Sequence, residues 1–117
     1  MPKIAIIIIT YNHEQDIEHC LQSVSAANYP SADLAVFVRD NASGDHTPEL
    51  LKQLAPRLPG QIKVTLSQQN TGFAGGNNRE YNQAKAWGAE FVFLLNPDAA
   101  LSPNCLHILV EAMAQYP

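Results

Sequence analysis

The sequence predicts an α/β fold, a three-layer sandwich in which helices cover both faces of a parallel sheet with strand order 3-2-1-4. Short apolar segments typical of strands alternate with segments whose apolar residues recur at helical spacing, in a βαβαβαβα pattern. The third strand-like segment alternates apolar with polar residues, which places it at an edge of the sheet. Strands that are connected through helices pair in parallel with right-handed crossovers, so this order is the economical one.

The first half of the chain predicts two strands and two helices. Residues 4–9 are continuously apolar and rich in isoleucine, which predicts a central strand covered on both faces. From Asp16 on, apolar residues recur at helical spacing and predict a first helix. Residues 34–38 predict a second buried strand, and Thr47 followed by Pro48 predicts an N-cap and the first position of a second helix. The expected inner faces are Ile17, Cys20, Leu21 and Val24, and then Leu50, Leu51 and Leu54.

The second half repeats this alternation. Residues 62–66 predict the half-exposed edge strand, and a helix is expected from about Gly76 to Trp87, ended by Gly88 at its C′ position. Residues 91–95 are again continuously apolar and predict a strand covered on both faces. Ser102 and Pro103 open a last helix. Its expected inner face is Leu106, Leu109, Val110 and Met113, and we expect residues 1–117 to form one domain.

Composition excludes several classes of function. The net charge is -4 with only 7 Lys and Arg residues, which leaves no basic surface for nucleic acid. The longest apolar run is far shorter than the ~20 residues that cross a bilayer, and no charged leader precedes it, so we expect a cytoplasmic protein. Cys20 and Cys105 have no CxxC spacing and are expected to be buried free thiols. The 4 histidines show no zinc-ligand spacing.

Polar stretches follow each predicted strand, at residues 10–12, 40–43, 70–77 and 96–98. In an open parallel sheet, ligands bind beyond the carboxyl ends of the strands, where the strand order reverses. In the order 3-2-1-4 that crevice lies between the first and fourth strands. The chain is therefore expected to bind a small polar ligand, most plausibly a nucleotide.

Two aspartates are candidate ligand-binding residues. Asp40 follows a buried strand and can accept a hydrogen bond from the ring N–H of uracil or thymine, or it can instead form an Asx turn or cap the next helix. Asp98 follows Asn96 and Pro97, and a carboxylate beside a diphosphate commonly binds Mg²⁺ or Mn²⁺. The alternative for Asp98 is a solvated turn residue.

Residues 70–78 contain three glycines and three asparagines immediately before a predicted helix. Glycine permits close backbone approach, and a helix N-terminus suits an anion or sugar hydroxyls. The segment matches neither the phosphate-loop pattern nor the dinucleotide-binding pattern. An ordinary flexible loop is the alternative.

Together, the sequences Thr-Tyr-Asn at residues 10–12, Asp-Asn-Ala-Ser-Gly-Asp at 40–45, Asn-Thr-Gly-Phe-Ala-Gly-Gly-Asn at 70–77 and Asn-Pro-Asp at 96–98 resemble the inverting glycosyltransferases of family 2, with the GT-A fold. The Gly-Phe-Ala-Gly-Gly-Asn run together with Asn-Pro-Asp resembles the bacterial rhamnosyltransferase-like subgroup, which builds polysaccharides from nucleotide-activated sugars. The resemblance implies the donor-binding half of a nucleotide-diphospho-sugar transferase, which takes a UDP- or dTDP-sugar. It implies hexosyl or rhamnosyl transfer to a glycan or lipid-linked acceptor, at the inner face of a membrane.

The resemblance also implies roles for individual residues. Asp98 is implied as the metal ligand for Mg²⁺ or Mn²⁺, although Asn96 replaces the first aspartate of the family's Asp-x-Asp motif and should weaken metal binding. Asp40 is implied as the contact to the base. The implied nucleotide-binding residues are Thr10, Tyr11, Asn12, Asp40, Asn41, Asn70, Gly75, Gly76 and Asn77.

The family's catalytic base lies well downstream of Asp98, where this sequence offers only Glu111, so the catalytic residue is unknown. We expect a truncated donor-binding part that is inactive alone and that forms a homodimer through the fourth strand or the last helix. A non-catalytic interaction module that retains the fold is an alternative. A dinucleotide-dependent oxidoreductase is disfavoured, because no glycine follows the first strand.

Overall fold

A computed structural model describes residues 1–116 as four strands and four helices in alternation. A single 3₁₀ turn at Ser31–Asp33 precedes the second strand. The elements in chain order are β1 Ile4–Thr10, α1 Ile17–Ser25, β2 Leu34–Asn41, α2 Thr47–Leu54, β3 Gln61–Ser67, α3 Gly72–Trp87, β4 Phe91–Leu94 and α4 Cys105–Gln115.

The four strands form one parallel sheet in the order β3-β2-β1-β4, as predicted. The register aligns Thr10 at the end of β1 with Asp40 near the end of β2. Asn41, which ends β2, is aligned with Ser67 at the end of β3. The polar residues that follow separate strands are therefore brought to one rim of the sheet.

Each face of the sheet is covered by helices, which confirms the three-layer arrangement. Ile6, Ile8 and Val38 point to the face that packs against α1, α2 and the buried Leu106 of α4. The opposite face, with Phe37, packs against α3. Because side chains alternate along a strand, Asp40 belongs to the first face, whereas Arg39 and Asn41 belong to the α3 face. The predicted inner residues of α1 are all buried: Ile17, Cys20, Leu21 and Val24.

The prediction that Thr47 caps α2 is wrong. His46 is the N-cap residue, and Thr47 already has helical conformation in front of Pro48. The carboxylate of Asp45 supplies the missing acceptor, because its Oδ1 accepts a hydrogen bond from the backbone N–H of Thr47 at 2.9 Å. An aspartate just before the cap thus replaces the expected threonine.

The start of α3 also differs from the prediction, because the helix begins at Gly72 rather than near Gly76. Glycines inside a helix cost stability, which is why the sequence favoured a loop. Packing overrides this preference at Gly76, where an added Cβ would lie 3.2 Å from Ile9 Cδ1 and 3.3 Å from Asn41 Nδ2. The absence of a side chain lets α3 lie directly on the sheet.

The predictions that β4 is covered on both faces and that α4 buries a full stripe are wrong. Phe91 and Phe93 pack into the core, but Leu94 is 58% exposed. The helix α3 packs mainly against β1 and β2, so on the same face of β4 Val92 packs against the core but Leu94 stays exposed. In α4 only Leu106 is buried, and Leu109 and Met113 are exposed.

Among residues 1–116, no helix is both long and apolar enough to cross a membrane.

Candidate functional site

A surface hollow of about 240 Å³ lies at the carboxyl end of β1, beside the start of α3. Two exposed aromatic side chains contribute to its wall, Tyr11 with 49% and Phe73 with 62% of its surface exposed. The wall combines an apolar side chain, aromatic rings and polar groups, as is typical of small-molecule sites. The lining residues are Ile9, Thr10, Tyr11, His13, Asn41, Asn70, Gly72 and Phe73.

Asp40 lies behind this wall and is only 1% exposed. Its Oδ1 accepts hydrogen bonds from the hydroxyls of Thr10, at 2.7 Å, and of Ser43. Its Oδ2 accepts a hydrogen bond from the backbone N–H of Ser43 at 3.0 Å. The carboxylate thus binds the backbone three residues on, one residue beyond the Asx turn that the sequence left open, and so closes the loop after β2. A carboxylate offers about four acceptor positions, so one on Oδ2 has no partner among the described residues.

The loop after β1 is bound to the loop after β2 by several hydrogen bonds. The backbone N–H of Asn12 donates to Ser43 Oγ at 2.9 Å, and Asn12 Oδ1 accepts from the N–H of Gly44 at 2.8 Å. Farther along, the N–H of Glu14 donates to Asp45 Oδ2 at 3.2 Å. Asn12, which the sequence predicts to bind nucleotide, thus uses its side-chain oxygen to join the two loops.

Two residues of these loops have left-handed backbone conformation, Asn12 with a φ of 60° and Ala42 with a φ of 61°. Asparagine tolerates this conformation, whereas alanine does so only at a cost of order 1–3 kcal/mol. Ala42 lies between Asp40 and Ser43, so the turn formed by those two side chains holds it in place. Strain of this kind is concentrated at binding and catalytic sites.

Asn41 attaches the glycine-rich segment to the end of β2. Its Nδ2 donates to the carbonyl of Gly72 at 3.1 Å, and its Oδ1 accepts from the hydroxyl of Thr71 at 3.2 Å. Asn70 then turns the chain into α3, because its Oδ1 accepts from the N–H of Gly72 at 2.8 Å. The start of α3 is therefore held beside the hollow by side-chain amides.

The remaining predicted residues of the glycine-rich segment lie within α3. Gly75 and Gly76 have helical conformation, and Gly76 is buried against the sheet. Asn77 donates from Nδ2 to the carbonyl of Phe73 at 3.0 Å, within its own helix. The structure thus brings Thr10, Tyr11, Asn41 and Asn70 together in the hollow. Five other predicted residues do not belong to the hollow wall: Asn12, Asp40, Gly75, Gly76 and Asn77.

A buried ion pair lies between the sheet and α3. Arg39 Nη1 is 3.6 Å from Glu80 Oε1, and both residues are buried. Burial raises the pKa of Glu80 above its usual range, although the charge of Arg39 acts in the opposite direction. Arg39 Nε and Glu80 Oε1 have no hydrogen-bond partner among the described residues. Arg39 precedes Asn41 by two residues on the same strand, and Glu80 lies in α3, whose start Asn41 holds.

Asp98 is exposed and does not contribute to the hollow wall. Its charge acts on Cys20 instead: burial first, and Asp98 second, raise the pKa of that thiol to about 11. Cys20 is buried as expected, whereas Cys105 is only half-buried. No group of three or more His, Cys, Asp or Glu side chains within residues 1–116 could hold a metal ion.

Four residues of the hollow wall were missing from the sequence prediction: Ile9, His13, Gly72 and Phe73. His13 directly follows the Thr-Tyr-Asn stretch, and its position after a strand end was the signal. Phe73 is a single aromatic residue among glycines and asparagines, and a single exposed apolar residue does not by itself indicate a site, so the sequence carried no signal there. Ser43 was also missed, although it is the partner of Asp40.

Comparison with known proteins identifies the family of the chain. Residues 5–117 match the family model described as Glycosyl transferase family 2. The chain belongs to this family. Since the match covers nearly the whole chain, the resemblance seen in the sequence motifs is confirmed.

Several family 2 relatives and solved structures are similar to this chain. The N-acetylglucosaminyl-diphospho-decaprenol L-rhamnosyltransferase of Mycobacterium tuberculosis is 25% identical over 120 residues, which cover 96% of this chain and 37% of that protein. The structure of residues 1–349 of Staphylococcus aureus TarS in complex with UDP-GlcNAc has a TM-score of 0.84 at 25% identity, covering 97% of this chain and 32% of that TarS chain. The mannosyltransferase PcManGT from Pyrobaculum calidifontis, in complex with GDP-Man and Mn²⁺, has a TM-score of 0.87 at 28% identity, covering 97% of this chain and 32% of PcManGT.

These similarities confirm the GT-A type of α/β fold that the motifs implied. The chain spans about a third of the length of the curated family 2 relatives it matches.

Proposed function

We propose that this chain binds a UDP- or dTDP-linked sugar as the donor-binding part of a family 2 glycosyltransferase, which transfers the sugar with inversion to a glycan or lipid-linked acceptor. The observation that carries the proposal is the hollow at the end of β1, whose wall includes Thr10, Tyr11, Asn41 and Asn70. These residues come from three separate segments of the chain. Support comes from the solved neighbours, which bind UDP-GlcNAc and GDP-Man.

The hollow suits the nucleoside end of such a donor. Tyr11 and Phe73 offer exposed rings on which a base can stack, a contact that every base can make. The free acceptor position on Asp40 suits a ring N–H, which uracil, thymine and guanine all carry.

Divalent metal is proposed to bind only together with the diphosphate. Asp98 is a single exposed carboxylate next to the amide of Asn96, and no further acid completes a site within the described residues. Mg²⁺ commonly binds through one or two carboxylates plus phosphate oxygens, so this set fits when a nucleotide supplies the remaining ligands. The ion would neutralise charge on the leaving diphosphate.

The alternative is a module that keeps the fold without binding a donor. Asp40 already has three hydrogen-bond donors of its own, and Asn12 and Asn41 are also engaged within the protein. A rim that is fully satisfied internally would serve to hold the loops rather than a ligand. Direct titration separates the two functions.

The test is calorimetric titration of the chain with UDP, dTDP, GDP, NAD and uridine, each with and without Mn²⁺. We expect UDP or dTDP to bind more tightly than GDP and NAD, and Mn²⁺ to strengthen binding of UDP but not of uridine. In Asp98→Asn the Mn²⁺ effect should be absent, because the amide removes the charge that holds the cation. The matched control is Asp16→Asn, which changes an exposed aspartate on the other side of the β1 loop.

Tight binding of GDP alone would contradict the pyrimidine preference. Binding of none of the nucleotides would overturn the donor-binding function and favour the interaction module. If Mn²⁺ has no effect on the wild-type chain, Asp98 is a turn residue only.

A further inference from the structure

His13 is held in the hollow wall by contacts on both its ring and its backbone. Its Nδ1 accepts a hydrogen bond from the backbone N–H of Tyr11 at 2.9 Å. Its own N–H donates to Thr47 Oγ1 at 3.0 Å, and its carbonyl accepts from the N–H groups of Asp16 and Ile17. The imidazole is thus positioned by its own loop and by the start of α2.

The contact with Tyr11 decides which ring nitrogen carries the proton. A backbone amide can only donate, so Nδ1 of His13 must be unprotonated to accept from it. A neutral imidazole then carries its proton on Nε2. Within residues 1–116, Nε2 has no hydrogen-bond partner. The ring therefore presents an unused N–H donor at the site.

Donors are scarce in the hollow. No lysine or arginine belongs to its wall. The hydroxyl of Thr10 already donates to Asp40, and the amide of Asn41 donates to the carbonyl of Gly72. An anionic ligand must therefore be met by neutral donors, of which His13 Nε2–H is one and the amide of Asn70 is another.

We propose that His13 is a binding residue of the donor site, in which Nε2–H donates to a phosphate oxygen of the nucleotide diphosphate. This inference rests on the proposed function. Phosphate oxygens are the strongest acceptors that a nucleotide diphosphate offers, and a hydrogen bond to an ionised acceptor is about twice as strong as a neutral one. The bond also requires no positive charge near the diphosphate, which leaves charge neutralisation to the metal.

Two variants distinguish the role of Nδ1 as an acceptor from the role of Nε2 as a donor. In His13→Asn, the side-chain oxygen can replace Nδ1 as the acceptor for Tyr11, but no donor reaches the place of Nε2. In His13→Gln, the longer amide offers a donor near the place of Nε2 and loses the local acceptor. His19→Asn is the matched control, because His19 is exposed on α1. Thermal melting checks that each variant is folded.

The readout is the affinity for UDP relative to uridine, measured by calorimetry on the whole chain. His13→Asn should weaken UDP binding about tenfold and leave uridine binding unchanged, since only UDP carries the phosphates. His13→Gln should recover part of the loss. In the free protein, ¹⁵N spectra of the imidazole should show the neutral Nε2–H form.

Unchanged UDP affinity in His13→Asn would overturn the role of His13 while leaving the donor site intact. An equal loss for UDP and uridine would also overturn it, since it would indicate a contact with the nucleoside or a disturbed loop. A wild-type chain that binds neither UDP nor uridine would refute the proposed function itself, and this inference with it.

Discussion

The carboxylate of Asp40 joins the end of β1 to the loop after β2, and it is also the proposed contact to the base. Its three hydrogen bonds to Thr10 and Ser43 hold a turn in which Ala42 adopts a strained conformation. These bonds fix the orientation of the remaining acceptor position on Oδ2. A residue that is structural in the free protein can therefore also be the one that recognises the base.

Asp40→Ala should lower the affinity for UDP by about tenfold or more, because the base N–H loses its buried acceptor, at a cost of about 1–3 kcal/mol. The same change loosens the turn, so the matched variant is Ser43→Ala, which weakens the turn but keeps the carboxylate. We expect Ser43→Ala to reduce affinity much less. Calorimetry with UDP measures both.

Equal affinity in Asp40→Ala and the wild-type chain would count against a base contact. Equal losses in Asp40→Ala and Ser43→Ala would assign Asp40 to the loop alone.

At the scale of elements, the position of α3 depends on two unlike contacts with the sheet. Gly76 allows close approach to Ile9, and the ion pair of Arg39 with Glu80 crosses the same interface. Removing one member of a buried ion pair costs more than replacing both, because the remaining charge stays buried without a partner. These contacts between α3 and the sheet therefore fix the position of the glycine-rich segment beside the hollow.

Arg39→Met should therefore destabilise the chain by about 3–5 kcal/mol at pH 7, and the double variant Arg39→Met with Glu80→Met should regain most of this loss. The exposed Arg79→Met on the same helix is the control and should cost less than about 0.5 kcal/mol. Urea unfolding of all four proteins measures the differences.

The cost of Arg39→Met should shrink at lower pH. Burial raises the folded-state pKa of Glu80 above its unfolded value. The stability that its protonated form contributes is therefore fully present below the usual glutamate pKa and is lost as pH rises through the folded-state pKa. If the loss of unfolding free energy in Arg39→Met stays constant from pH 7 down to pH 4, the loss does not come from the buried charge of Glu80.

At the scale of the whole molecule, several exposed apolar side chains lie together on β4 and α4, at one end of the sheet. The edge strand β4 has unpaired backbone groups on one side, and Leu94 is exposed on it. Ile108 on α4 is 63% exposed, and hollows of about 270 and 350 Å³ lie beside it along β4 and α4. Exposed strand edges of this kind pair readily with other chains.

We propose that the chain forms a two-fold dimer through β4 and α4. Ile108→Lys or Leu94→Lys should yield monomers, whereas Leu66→Lys on the opposite edge strand should not, because Leu66 lies outside this surface. Light scattering at high micromolar concentration measures the mass. A wild-type chain that is strictly monomeric there would refute the dimer.

We also expect no sugar transfer by this chain, since no carboxylate belongs to the hollow wall. Measurable turnover would make Glu111 and Asp45 the first residues to test as the base.

The sequence alone determined the topology, the rim and the family. Strand-like and helix-like segments differ in the spacing of apolar residues, and parallel strands joined by helices admit few arrangements, so the order β3-β2-β1-β4 followed from local patterns. The motifs that mark the family are also local. Each of these inferences depends on residues close together in the chain.

Only the tertiary structure decided which side chains remain available to a ligand. Asn12, Asp40 and Asn41 satisfy partners about 30 residues away in sequence, and Gly76 fits against Ile9 on another element. Burial of β4 was decided in the same way: the apolar pattern of residues 91–95 predicts burial on both faces, but α3 packs mainly against β1 and β2, and Leu94 stays exposed. Burial and hydrogen-bond satisfaction depend on neighbours distant in the chain, so no local pattern contains them.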